Sequence, residues 1–263
     1  MITGCSDTKT KETIDDVAQT PIQQDENTKE LVENNEIETV EEMPALEDVN
    51  VNIKQKKEQV APLVVSTETF ENKFQEEDVL LAHVKIDYPM IQNASTDGLI
   101  KINQFFSESA QALYDENNTY ASDNVELIKE QALLENSNSE QFYSKYMVTF
   151  EVKYNANGYL SILEKFSEKN NGIERENSYC NGYIFDVKTG ERLTINDILT
   201  GTDEELAQII GQAFISSDKI SEDVKNNYKD EILSNTKLVE FYMDDKNINL
   251  FYNPFTVAPY SVG

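Results

Sequence analysis

The residues able to do chemistry are few, and their spacing restricts what they could do. The chain holds one histidine, His83, and two cysteines, Cys5 and Cys180, that lie far apart in sequence. Zinc sites draw their ligands from closely spaced Cys and His, and no such spacing exists here. A Ser-His-Asp triad would consume the only histidine. His83 falls on the polar side of an alternating segment, where it reads as a surface or partly covered strand residue rather than a base or a ligand. No metal and no cofactor is expected. The 49 acidic residues include neighbours such as Asp244 with Asp245 and Glu204 with Glu205, which could act as acid and base in glycoside hydrolysis. Among so many acids such neighbours arise by chance, so no catalytic residue is assigned and the chain is read as a non-enzyme. The stretch from Asp186 to Gly190 lacks the alternating oxygen ligands of a calcium loop, with Lys188 where an acid is needed, and reads as a turn.

Two other segments carry chemistry of a different kind. Ile2-Thr3-Gly4-Cys5 has the aliphatic, small, small, Cys order of a bacterial lipoprotein signal, and a diacylglyceryl thioether on Cys5 would supply two acyl chains, enough for stable anchoring. The basic segment and apolar run that precede such a site are absent, so the sequence is read as starting inside a longer precursor; an accidental match before a polar tail is the alternative. Cys180, flanked by Tyr179 and Asn181 in a predicted strand, reads as an unpaired residue rather than a nucleophile, since pairing with Cys5 would compete with lipidation. Near the other end, Pro254, Phe255, Pro259 and Tyr260 combine stiff backbone with two rings and form a candidate partner-binding anchor. The alternative is that they finish the core and turn the chain.

Charge narrows the partner. The chain has 263 residues, 22 Lys and Arg and a net charge of -27. A nucleic-acid partner needs a basic stripe, and nothing beyond Lys54, Lys56 and Lys57 approaches one. A cationic partner suits the surface better. From Ser6 to Val60 there are 15 acidic residues, 6 lysines and no aromatic residue, too little apolar surface to offset the entropy of ordering. Residues 1–60 are therefore expected to be a lipoprotein-like N-terminus and a disordered acidic tether, spanning roughly 40 Å as a flexible chain. No run of about 18 apolar residues exists that would span a membrane.

The elements that must position the candidate residues follow from periodicity. Ala82, Val84, Ile86 and Tyr88 alternate with polar residues, which predicts a strand. Leu99, Ile102, Phe106, Ala110 and Leu113 recur at helical spacing behind the cap candidates Thr96 and Asp97. Tyr146, Val148, Phe150, Val152 and Tyr154 share one face of a strand that meets Asn157-Gly158, a hairpin turn, and returns from Tyr159 to Phe166. Another strand spans about Ser178 to Val187. Thr202 and Glu205 have capping-box spacing at the start of a helix carrying Leu206, Ile209, Ile210, Ala213 and Phe214. A second helix holds Val224, Tyr228 and Ile232, and strands at Lys237 to Met243 and Ile248 to Tyr252 close the order. Short connections imply antiparallel pairing, so the fold class is α+β: antiparallel sheets with helices packed on one face, preceded by the tether.

This order, with Ile86-Asp87-Tyr88-Pro89, Ile102-Asn103, the Tyr154 to Ile162 hairpin, Phe185-Asp186-Val187-Lys188-Thr189-Gly190-Glu191-Arg192-Leu193-Thr194, and the endings Phe251 to Phe255 and Ala258-Pro259-Tyr260-Ser261-Val262-Gly263, resembles a pair of extracytoplasmic modules. They are those of the lysozyme-sensing anti-sigma factor RsiV and of the non-catalytic N-terminal region of the peptidoglycan deacetylase PdaC. The resemblance covers about residues 62 to 263. It implies a PdaC-like α+β module at 61–168 and an RsiV C-terminal-like α+β module at 169–263, the latter expected to be truncated at its end. Two departures limit it. An acidic tether stands where RsiV has its sigma-binding segment and transmembrane helix, and one histidine cannot supply the metal ligands of a deacetylase. The Cys5 segment and the resemblance together lead to the expectation of a non-enzymatic surface lipoprotein of a Gram-positive cell envelope, lipid-anchored on the outer face of the membrane, that binds or senses a cationic protein such as lysozyme. The alternative is an accessory domain associated with cell-wall glycan, in a polysaccharide deacetylase system.

Overall fold

Strand β2 (Val79–Ile91) buries Ala82, Val84, Ile86 and Tyr88 on one side, as the alternation predicts. The computed structural model describes residues 61–134, 144–169 and 176–259, with side chains described to residue 130 in the first of these, and all belong to one compact unit. Cys5, the tether and Tyr260 lie outside the described residues.

Five strands form the main sheet in the order β1 (Val65–Glu76), β2, β3 (Ser144–Ala156), β4 (Tyr159–Lys169) and β5 (Asn177–Asp186). Neighbours pair antiparallel except β2 with β3, which run parallel over Ala82 to Ile86. This departs from the expected all-antiparallel pairing, and the reason lies in the connection. Helix α1 (Asp97–Leu134) has 38 residues, about 57 Å of helix, and so long a crossover can return the chain parallel. The Leu99 to Leu113 stripe marks only its first half. β1 has no counterpart in the periodicity reading; as an edge strand it buries little, and its only large apolar residues, Phe70 and Phe74, sit among Glu, Asn and Lys.

Alternation along β5 divides two cores. Tyr183 and Phe185 face α1, where Phe105 and Phe106 meet them edge to face, together with Ile102, Leu160, Ile162 and Val148. Ile184, between them, points to the opposite face and packs with Ile198 of α2 (Ile195–Ile198), Leu206 of α3 (Asp203–Ser216) and Met243. The capping box at Thr202 and Glu205 is formed, and a second one at Thr194 and Asp197 opens α2. The helix expected around Val224 to Ile232 breaks at Tyr228 into α4 (Glu222–Asn227) and α5 (Lys229–Ser234), which bury Ile232 against Ile210 and Phe214. A 3-10 turn at Thr236–Leu238 occupies the first part of the expected strand, leaving β6 (Glu240–Met243) to pair with β7 (Ile248–Phe251).

β6 lies against the second face so closely that a methyl group at Gly182 would stand 1.9 Å from the Phe241 carbonyl oxygen. Buried Ser161 completes the attachment by accepting the Met243 amide proton at 3.0 Å. β4 and β5 pair from Tyr159 with Asp186 to Glu168 with Asn177.

Candidate functional site

Strand β5 is the last strand of the sheet, so its outer edge presents backbone groups that need partners. The chain supplies them residue by residue. Asp186 donates to the Glu191 carbonyl, and the Ile184 carbonyl accepts from Leu193. The Gly182 amide donates to the Glu240 carboxylate at 3.1 Å, while its carbonyl accepts from the Arg192 guanidinium at 3.1 Å. That guanidinium also lies 4.5 Å from the centre of the Tyr183 ring. At Cys180 a single side chain serves both groups: the amide donates to Asn253 Oδ1 at 2.7 Å, and Asn253 Nδ2 donates to the carbonyl at 2.8 Å.

One residue pair further along, at Ser178, no hydrogen bond from this series continues among the described residues. Asn177, Ser178 and Tyr179 line a cleft of about 350 Å³ with Glu168, Asn253, Pro254 and Phe255. Alternation points the Ser178 backbone groups outward, like those of Cys180. Tyr179 is held in place by stacking on Phe166, with ring centres 4.4 Å apart, and by its hydroxyl 3.4 Å from that of Tyr146. Burial pushes the Tyr146 hydroxyl far above the ordinary range, so it remains protonated.

Phe255 forms the lip of this cleft. Its φ of 66° is left-handed, a conformation costly for a bulky residue, and the side chain is 68% exposed. Backbone strain is here combined with solvent exposure of a ring. Of the anchor residues read from sequence, Pro254 and Phe255 come together at the cleft. Pro259 is exposed but lines no part of it. Sequence reading missed Ser178, Glu168 and the Asn253 clamp, because nothing local signals which strand is the edge.

Of the residues weighed for catalysis or metal binding, Asp244, Glu205, His83 and Asp186 have hydrogen-bond partners. Asp244 accepts the amide protons of Lys246 and Asn247 and the Asn249 side chain, which hold its carboxyl below the usual range. Glu205 accepts the Thr202 amide proton at 2.7 Å. His83 lies on β2 beside Glu71 of β1, 2.8 Å away. Asp186 closes its turn by accepting from Lys188 and Thr189. Among the described residues no three His, Cys, Asp or Glu side chains are grouped as metal ligands, and no helix is long and apolar enough to cross a membrane. The most displaced carboxyl, Glu164, is 4% exposed; burial pushes it up to about 7, against the opposing pull of a hydrogen bond with Tyr183 and the Arg192 charge.

No protein-family model matches the chain, and no curated protein matches it in sequence. Solved structures do. The chain is similar to a member of the DUF3298 family from Bacteroides fragilis, with a TM-score of 0.58 and 15% identity over 78% of this chain and 89% of that one. A DUF3298 family protein from Pseudomonas aeruginosa gives a TM-score of 0.47 at 15% identity, over 76% of this chain and 87% of that one. The first likeness establishes a shared α+β fold. DUF3298 is a domain type found in RsiV and PdaC.

Proposed function

We propose that this protein is a non-enzymatic extracytoplasmic binding module that captures a strongly cationic protein, of which lysozyme-like wall hydrolases are the type, at the cleft between the start of β5 and Phe255. The observation that carries this reading is Phe255 itself: an exposed ring in a left-handed backbone beside the start of β5, where among the described residues the sealing of that edge does not continue. A partner loop in extended conformation would pair with the Ser178 backbone and lay an apolar or cationic side chain against Phe255, the geometry of strand addition. The residues after Val60 carry 34 acids against 16 bases. This excess would accelerate encounter with a basic protein, and ring contact would provide the specificity that charge lacks. Lipidation at Cys5 and a place on the outer face of the membrane belong to the same proposal; the tether would hold the domain out from the surface.

Calorimetric titration of hen lysozyme into the purified chain tests the reading, in moderate salt and with Phe255→Ala beside the unaltered protein. Saturable binding that weakens about tenfold or more in the variant is expected, in line with loss of a central aromatic anchor. Binding that vanishes at moderate salt, or that ignores Phe255→Ala, would overturn it.

A further inference from the structure

A second opening, which Phe255 does not line, lies between β7 and the helices α3 and α4. The groove has a volume of about 700 Å³; Phe214, Ile220 and Val224 line it from the helix side and β7 from the other. Phe214 and Ile232 are buried in the apolar cluster beneath it, and the Tyr252 ring stands 4.4 Å from that of Phe214. The Tyr252 hydroxyl donates to the Ile232 carbonyl at 2.9 Å, which leaves its ring as apolar lining.

The pairing register decides what β7 offers. Asp244 donates its amide proton to the Asn247 carbonyl, so pairs two residues on, Tyr242 with Asn249 and Glu240 with Phe251, are the hydrogen-bonded ones. The amide and carbonyl groups of Ile248 and Leu250 therefore point away from β6, which lines no part of the groove. Among the described residues no strand pairs with them. A strand edge beside an apolar trough is what strand addition uses: backbone pairing holds the incoming segment, and its alternate side chains enter the trough.

Charge selects the segment. The chain has 49 acids and 22 bases, yet the only charged residue lining the groove is Lys219, which is exposed. Among the described residues no carboxylate pairs with its ammonium. A second copy of the chain suits the groove poorly: two chains of net charge -27 repel, and an incoming β7 would bring β6 along its other edge. We propose that an extended segment of another protein, apolar at alternate positions and carrying a carboxylate, adds to β7 here and sets that carboxylate beside Lys219. This site goes beyond the cleft at Phe255 and has the opposite charge preference.

The probe is an acetylated, amidated heptapeptide of alternating valine and threonine with glutamate at both ends, compared with the same peptide ended by lysine. Calorimetry on the full chain should show the glutamate peptide binding about fivefold tighter or more, although the net charge of the chain favours the lysine peptide. Lys219→Glu should reverse that order. Exchange of the Ile248 and Leu250 amides should slow about tenfold or more in the bound chain, and N-methylation of the peptide backbone should abolish the effect. Equal binding of the two peptides, or preference for lysine in the unaltered chain, would overturn the proposal. So would no saturable binding of the glutamate peptide up to about 1 mM, or Ile248 and Leu250 amides already protected without peptide, by the chain itself or a second copy.

Discussion

Asn253 holds Cys180 by both backbone groups, accepting its amide proton and donating to its carbonyl, so one side chain takes the place of a neighbouring strand. The same device recurs twice. Asn103 of α1 clamps Ile91 at the end of β2, and Asn155 of β3 clamps Leu63 ahead of β1. In each case the side-chain amide offers a donor and an acceptor side by side.

Asn253→Ala should therefore strip two hydrogen bonds from a partly buried strand edge and cost about 1–3 kcal/mol, read as a lower urea midpoint with unchanged slope. The Cys180 thiol, whose ionisation burial disfavours, should react faster with a thiol reagent in the variant. An unchanged midpoint and unchanged thiol reactivity would mean the clamp is incidental. Asn253→Asp keeps the acceptor but sets a carboxylate against the Cys180 carbonyl, and should rescue little.

Phe255 should show opposed effects on stability and binding. Gly relieves the strain of a φ of 66°, so Phe255→Gly should raise stability by about 1 kcal/mol in denaturant unfolding while abolishing the lysozyme heat signal. Loss of stability in this variant would show that the ring contributes more to the fold than the backbone strain costs.

Glu164 makes stability depend on pH. Its folded value of about 7 lies above the ordinary 4.5, so the fold favours the protonated form. The stabilisation is complete below about pH 4.5 and is lost as pH rises through 7, a difference on the order of 3 kcal/mol. Thermal unfolding across that window should show the midpoint falling toward alkaline pH, and Glu164→Gln should flatten the fall. A midpoint equally steep in the variant would assign the effect to other groups.

Gly182→Ala should separate the two layers. The added methyl group meets backbone rather than a movable side chain, and the Gly182 amide also anchors the Glu240 carboxylate. A loss of about 3 kcal/mol or more is expected, with the Phe241 and Tyr242 environments changed in fluorescence or proton spectra and the Phe105, Tyr183 and Phe185 cluster kept. A variant as stable as the parent would contradict the close crossing of β6.

The alternation of Ala82 to Tyr88 and of Tyr146 to Phe150, the hairpin at Asn157-Gly158, the Thr202 to Glu205 cap and the α3 stripe were all legible, because each depends on side-chain period or turn chemistry within a few residues. The expected single face does not extend to Tyr154, since a register shift after Val152 leaves Val152 exposed and sets Tyr154 in the second core. The acidic balance of the chain was legible too. What local pattern cannot express is which strands become neighbours. The parallel seam between β2 and β3 depends on where a 38-residue helix sets the chain down. That β5 is the edge, that Asn253 reaches Cys180 across 73 positions, and that a cleft opens at Ser178 all follow from contacts between segments distant in sequence. Sequence by itself determined most of the elements and the acidic character, since these reside in single residues and short periods; β1, the second half of α1 and the break at Tyr228 lay outside it. Tertiary structure alone decided the site, since an unsealed strand end exists only once every other part of that edge has found its partner.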